Sequence, residues 1–210
     1  MKYAAGMTLR VAVVDGSLRP GEGNTARALA VVTRALSKDV TVDPLGLATY
    51  AGTVEELAAR LRAANALLFG SGTYWNSWGS PLQRFLEVMT PYEATDVFAG
   101  KPASVVVTMD STGGGEIAAR LSATLVCLGC FAPPFSWMTL SRVGTALAKR
   151  DPGATRDVWG TDDLAVLAAN LEEATRKQTS SRGSFRAWTI ERTEAATGSY
   201  PHAGPLPPAA

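Results

Sequence analysis

The stretch "LRVAVVDGSLRPGEGNTARALA", Leu9–Ala30, decides how the chain is read. Leu9–Asp15 is short, apolar and β-branched, the pattern of a strand buried on both faces. A turn containing three glycines follows. Asn24–Leu36 then reads as a helix, with Ala28, Leu29, Val32 and Leu36 on one face. The turn also gathers Ser17, Arg19, Asn24 and Thr25. Glycine lets backbone wrap closely and take positive φ. The free N–H groups and dipole of a helix start favour an anion. Backbone amides, three short polar side chains and one guanidinium suit a phosphate monoester. The alternative is a capped, flexible turn with no ligand. The spacing is neither G-x-x-x-x-G-K-[ST] nor G-x-G-x-x-G, so an NTPase is disfavoured. Glu22 would repel a phosphate and is expected to point to water.

The same alternation continues along the chain. Val40–Leu45 reads as a strand near a sheet edge, because it meets Pro44. Thr53 and Glu56 form a capping box that opens a helix running to about Ala64. Asn65–Ser71 is a third strand. Ser80 is expected to cap the next helix, with Pro81 in its first position. Ala103–Met109 is a fourth strand, followed by a helix from about Ile117 to Leu128. "PPFSWMTL" holds a fifth strand. Thr161, with Asp162 and Asp163 in the first turn, is expected to start a last helix ending near Lys177. Ser141–Gly160 reads as a polar insertion. These units predict an α/β fold: a flavodoxin-like three-layer sandwich with a five-stranded parallel sheet, order 2-1-3-4-5, and helices on both faces. Residues 1–180 form this domain. Residues 181–210 form a C-terminal extension, disordered in part or docking on a partner subunit through "SFRAWTIER".

Ligands bind such sheets beyond the carboxyl ends of the strands. Two further loops lie there. "GTYWNSWGS" places Thr73, Tyr74, Trp75, Asn76 and Trp78 close together, offering flat apolar surface and amide edges to a planar ligand. Packing of the loop or of a subunit interface is the competing reading. "DSTGGGE" brings Asp110, Ser111, Gly113 and Gly114 to the same end, with bare backbone able to approach a ring edge.

Composition narrows the function. Twenty Lys and Arg stand against 19 Asp and Glu, which provides no field for nucleic acid or an anionic membrane. The N-terminus lacks a signal-peptide core, and no apolar run spans a bilayer. Two cysteines make no disulfide framework. A cytoplasmic protein is expected. The single histidine, His202, lies in the tail, so neither a histidine base nor a histidine-rich metal site is expected. Cys127 and Cys130 are read as two buried small residues on one side of a helix.

Together the three loops resemble the NADPH-dependent FMN reductase family. The likeness covers about Leu9 to Leu140. It rests on "GSLR" with "GNT", on "GTYWNSWGSPLQ" and on "STGG", in order on strands one, three and four. The resemblance implies non-covalent FMN, its phosphate on Ser17, Arg19, Asn24 and Thr25. The isoalloxazine would lie against Thr73, Tyr74, Trp75 and Asn76, with Asp110, Ser111, Gly113 and Gly114 near its pyrimidine edge. It also implies hydride transfer from NADPH to a small acceptor by the cofactor, with no catalytic side chain, no bound metal, and a homodimer or homotetramer. Gly72 stands where the family usually has Pro, and Gln83 where Lys is common. Arg142, Lys149 and Arg150 lie within reach of a 2′-phosphate or form a solvated charged loop. A flavodoxin-type electron carrier, a non-catalytic binding protein and a nucleotide binder are the competing functions.

Overall fold

The computed structural model describes residues 8–151, 158–179 and 185. Five parallel strands form one sheet in the order β2-β1-β3-β4-β5. They are β1 (Leu9–Asp15), β2 (Val40–Gly46), β3 (Ala66–Gly72), β4 (Ala103–Met109) and β5 (Trp137–Ser141). The helices are α1 (Gly23–Ala35), α2 (Val54–Ala63), α3 (Ser80–Met89), α4 (Gly114–Cys127), α5 (Arg142–Arg150) and α6 (Leu164–Thr179). This is the flavodoxin-like order expected from the sequence.

Alternation along the central strands builds the two halves of the core. Val13, Leu68 and Val106 pack with Leu29 and Val32 of α1 and Leu167 and Leu171 of α6. Their neighbours Val14, Phe69 and Val107 pack with Leu57 of α2, Phe85 of α3 and Leu121 of α4. Both faces of the sheet are therefore covered, as a parallel sheet requires. Pro44 is tolerated because β2 is an edge strand, paired only with β1. Lys101, 1% exposed, is satisfied by donating from Nζ to the carbonyls of Leu61 and Arg62 at the end of α2.

The structure corrects several local expectations. Gly79, not Ser80, caps α3. A Cβ at position 79 would lie 2.6 Å from the Gly16 carbonyl oxygen, so this cap has room only for glycine. The polar insertion contains α5, capped by Ser141, whose Oγ accepts from Gly144 N at 3.0 Å. Helix α4 starts at Gly114 because Gly113, at φ 85°, turns the chain into it. Thr161, Asp162 and Asp163 precede α6, their carbonyls making three-residue turns to Leu164, Ala165 and Val166. Cys127 is exposed; only Cys130 is buried. Helix α4 ends at Cys127 and the chain reverses at Gly129, φ 110°, so the pair does not share a helix face. Burial pushes the Cys130 thiol up to about 12, which keeps it protonated. The extension lies outside the described residues except Phe185, which stacks on Phe131 at 6.5 Å. Among the described residues, no helix is long and apolar enough to cross a membrane, and no group of three or more His, Cys, Asp or Glu side chains is placed to hold a metal ion.

Candidate functional site

The ends of β1, β3 and β4 open onto a cleft of about 510 Å³. Its first wall is the β1–α1 loop. Asp15, 7% exposed, organises that loop. Its Oδ1 accepts from Ser17 N at 3.0 Å and Ser17 Oγ at 2.6 Å, and its Oδ2 accepts from Gly21 N at 3.0 Å. Gly21 and Gly23, at φ 81° and 73°, let the chain fold around the carboxylate. Sequence reasoning missed Asp15, which reads there only as a strand terminus. It also alters the reading of Ser17. That hydroxyl gives its proton to Asp15 and is left as an acceptor.

Ser17, Arg19, Asn24 and Thr25 all line the cleft. The residue at the N-cap of α1 is Glu22, and its side chain makes no capping bond. The first N–H groups of the helix are thus left open to a ligand. The Arg19 side chain is exposed and has no ion pair or hydrogen bond among the described residues, while its carbonyl accepts from Glu22 N at 3.1 Å. Thr25 is buried, its Oγ1 2.8 Å from Thr108 Oγ1, which ties α1 to β4. Glu22 is exposed as expected, yet it lines the cleft as well, so it is not removed from an anion bound there.

The second wall is a tight turn after β3. Tyr74 N donates to Ser77 O at 2.8 Å and Ser77 N to Tyr74 O at 3.0 Å. The two residues between, Trp75 and Asn76, have φ of 45° and 60°. That is the left-handed region non-glycine residues rarely occupy, and such strain concentrates at functional sites. Arg120 of α4 holds the turn: its Nη2 donates to Asn76 O at 2.7 Å, and its guanidinium lies 5.4 Å from the Trp78 ring centre. The Tyr74 ring folds over Gly72, where a Cβ would come within 3.3 Å of it. Trp78 packs on the core, and its Nε1 donates to Gln83 at 3.0 Å, so it belongs to the scaffold.

Thr73 and Tyr74 line the cleft, but Trp75 and Asn76 do not. The Trp75 ring stands wholly in solvent at the tip of the turn. Of the third loop only Asp110 reaches the cleft. Gly113 lies against Asn76, where a Cβ would be 3.3 Å from Oδ1. Gly114 is buried, its N–H directed at the Met109 sulfur at 3.2 Å. Ser111 faces a separate hollow beside Val143 and Trp159. Asp110 forms an ion pair with Arg142, the first residue of α5, and that hydrogen bond holds its carboxyl below the usual carboxylate range. Both Arg142 and Met109 also line the cleft; Arg142 was read from the sequence only as a candidate for a 2′-phosphate, and Met109 not at all.

An uncapped helix start beside a free guanidinium fits a phosphate, and the Tyr74 turn on the opposite side fits a flat ring. The fold and this donor set define a flavodoxin-like flavin protein. The chain belongs to the NADPH-dependent FMN reductase family, whose model matches residues 9–143. It is an FMN-dependent oxidoreductase using NAD(P)H as co-substrate. Solved structures of similar fold include RosB with the bound intermediate 8-demethyl-8-formylriboflavin-5′-phosphate. It is 13% identical, covers 88% of this chain and 91% of its own, and has a TM-score of 0.66. The NADH:FMN oxidoreductase EMOB in its apo form is 19% identical over 88% of this chain and 97% of its own, TM-score 0.60. FerB, an NAD(P)H:acceptor flavoenzyme from Paracoccus denitrificans, is 18% identical over 82% and 98%, TM-score 0.58. No curated protein matches the sequence.

Proposed function

We propose that this chain passes hydride from NADPH through FMN in the cleft to a small organic acceptor such as a quinone, an azo compound or free flavin. The observation that carries the placement is the open start of α1 beside the Arg19 guanidinium, which has no partner among the described residues, opposite the Tyr74 turn. When bound, FMN accepts a hydride and passes two electrons on. The chain's own residues bind and orient. The N–H groups at the start of α1, with Arg19 and Asn24, take the phosphate. Thr25 fixes the helix start against β4 through Thr108. Thr73 and Tyr74 flank the ring, and the Arg120-braced turn keeps Tyr74 in place. Trp75, Asn76, Ser111, Gly113 and Gly114 remain proposed ring-side residues, with Trp75, at the tip of its turn, acting at the cleft's rim. The exposed rings of Trp75 and Phe135 support assembly into a homodimer or homotetramer, which sedimentation tests directly.

The test is the visible spectrum of the purified chain with FMN, followed anaerobically on adding NADPH. Oxidised-flavin bands that bleach with NADPH support the reading, and acceptor screening then follows. Arg19→Ala is expected to weaken FMN roughly ten-fold, the loss of one charge-assisted phosphate contact. Retained flavin that NADPH cannot bleach makes the chain a carrier instead. No flavin binding at any concentration overturns the placement of the site.

A further inference from the structure

A second groove, of about 650 Å³, runs between α1 and α5 and joins the first cleft, since Asn24, Thr108, Met109 and Arg142 line both. Its floor is aliphatic: Ala28, Val31, Leu140 and Ala146. Its walls hold four cations. Arg27 and Arg34 stand seven residues apart on α1, and Arg142 and Lys149 seven apart on α5. Two helical turns bring each pair back to one face, about 10 Å apart along the axis. Both helices start at the carboxyl edge of the sheet, α1 after β1 and α5 after β5. Arg27 and Arg142 therefore lie toward the cleft, and Arg34 and Lys149 at the far end. Among the described residues, no carboxylate lines the groove. Arg27, Arg34 and Lys149 have no ion pair among the described residues, while Arg142 is held by Asp110. Three cations without an ion pair among the described residues, with Arg142 beside them, surround an apolar floor in a chain whose net charge is only +1, and make a focused positive field.

A ligand for this groove carries two separated anionic groups for the cations and a flat face that rests on the aliphatic floor. Resting on the flavin reading of the adjoining cleft, we propose that the groove binds the adenosine half of NADPH. Its pyrophosphate would lie by Arg27 and Arg142, and its 2′-phosphate by Arg34 and Lys149. NADH has the first anionic group and lacks the second. Arg34 and Lys149 then make the chain discriminate between the two co-substrates. Lys149 was one of three basic residues that the sequence placed within reach of a 2′-phosphate. Arg34 comes from a helix 115 residues earlier in the chain and was not legible as its partner.

The test uses the full chain and its Arg34→Gln/Lys149→Gln variant. Calorimetric titration with 2′,5′-ADP is expected to show one site in the wild type, weakened by salt, with 5′-AMP binding more weakly. The variant is expected to lose about ten-fold in 2′,5′-ADP affinity, the equivalent of one or two charge-assisted contacts. The ratio of kcat/KM for NADPH over NADH should fall by a similar factor through KM, with FMN affinity unchanged. An unchanged ratio, or equal losses with both co-substrates, overturns the proposal while the flavin reading stands. Purified chain that retains FAD, with ADP filling the groove as well as 2′,5′-ADP, also overturns it. Failure to bind any flavin sinks the cleft reading instead, and titration with 2′,5′-ADP, which needs no flavin, still decides the groove.

Discussion

Asp15 and Glu22 are two carboxylates of one loop with opposite consequences. Asp15 is consumed by the scaffold, accepting three bonds from Ser17 and Gly21. Asp15→Asn replaces one acceptor oxygen with an amide that faces another donor. It is expected to cost about 1–3 kcal/mol, seen as a lower urea midpoint at unchanged m-value, with FMN affinity falling as the loop loosens. Glu22 has no such partner among the described residues and lines the cleft. Glu22→Gln removes a charge that opposes the phosphate. FMN affinity is expected to rise roughly two- to five-fold, more at low salt than at high, in a fluorescence titration. Asp15 was invisible as a functional residue because a strand-final aspartate has no pattern of its own. Its role arises only when the glycines bring Gly21 back over it.

The strand–turn–helix units were legible because two signals overlap in each: an apolar strand and a 3.6-residue apolar period. Their ends were not. Gly79 displaced Ser80 as the cap of α3 because another loop's backbone passes within contact distance. Gly79→Ala must push the Gly16 carbonyl away and so disturb both cleft walls. A loss of about 1–3 kcal/mol in urea unfolding is expected, together with weaker FMN binding. A variant with wild-type stability and FMN affinity would show that the two loops are not packed this tightly. Helix α5 escaped notice because it is only nine residues long, carries Gly144 in its first turn and buries none of its residues. Its place against α1 creates the second groove.

At the scale of the molecule, α6 is tied across the chain by charge. Glu172 accepts from Ser37 N at 2.9 Å and from Arg176 at 2.5 Å, and Arg176 also reaches Asp39 at 3.0 Å. Burial pushes the Glu172 carboxyl up, but the bonds from Ser37 and Arg176 outweigh it and hold the carboxyl below its ordinary value of 4.5. A carboxylate with a lowered folded value contributes stability that is fully present above the unfolded value. That contribution is lost as pH falls through the folded value. Melting temperatures measured from pH 7 down to pH 3 should therefore show Glu172→Gln well below wild type at neutral pH. The gap should close in acid, below about pH 4.5. A gap that is constant with pH would mean the network contributes through packing alone.

The sequence by itself determined the sheet order, the two-faced core, the carboxyl-edge site and the family, because each follows from local periodicity or from motifs in a fixed order. Only the tertiary structure decided which loop residues reach the cleft. It set Trp75 in solvent, buried Gly114 under Met109, turned the Ser17 proton to Asp15, and brought Arg142 and Arg120 to the loops they brace. The physical reason is the range of the interactions. A strand or helix is specified by neighbours a few residues apart. A cleft is specified by contacts between segments tens of residues apart, whose geometry exists only after the core has closed.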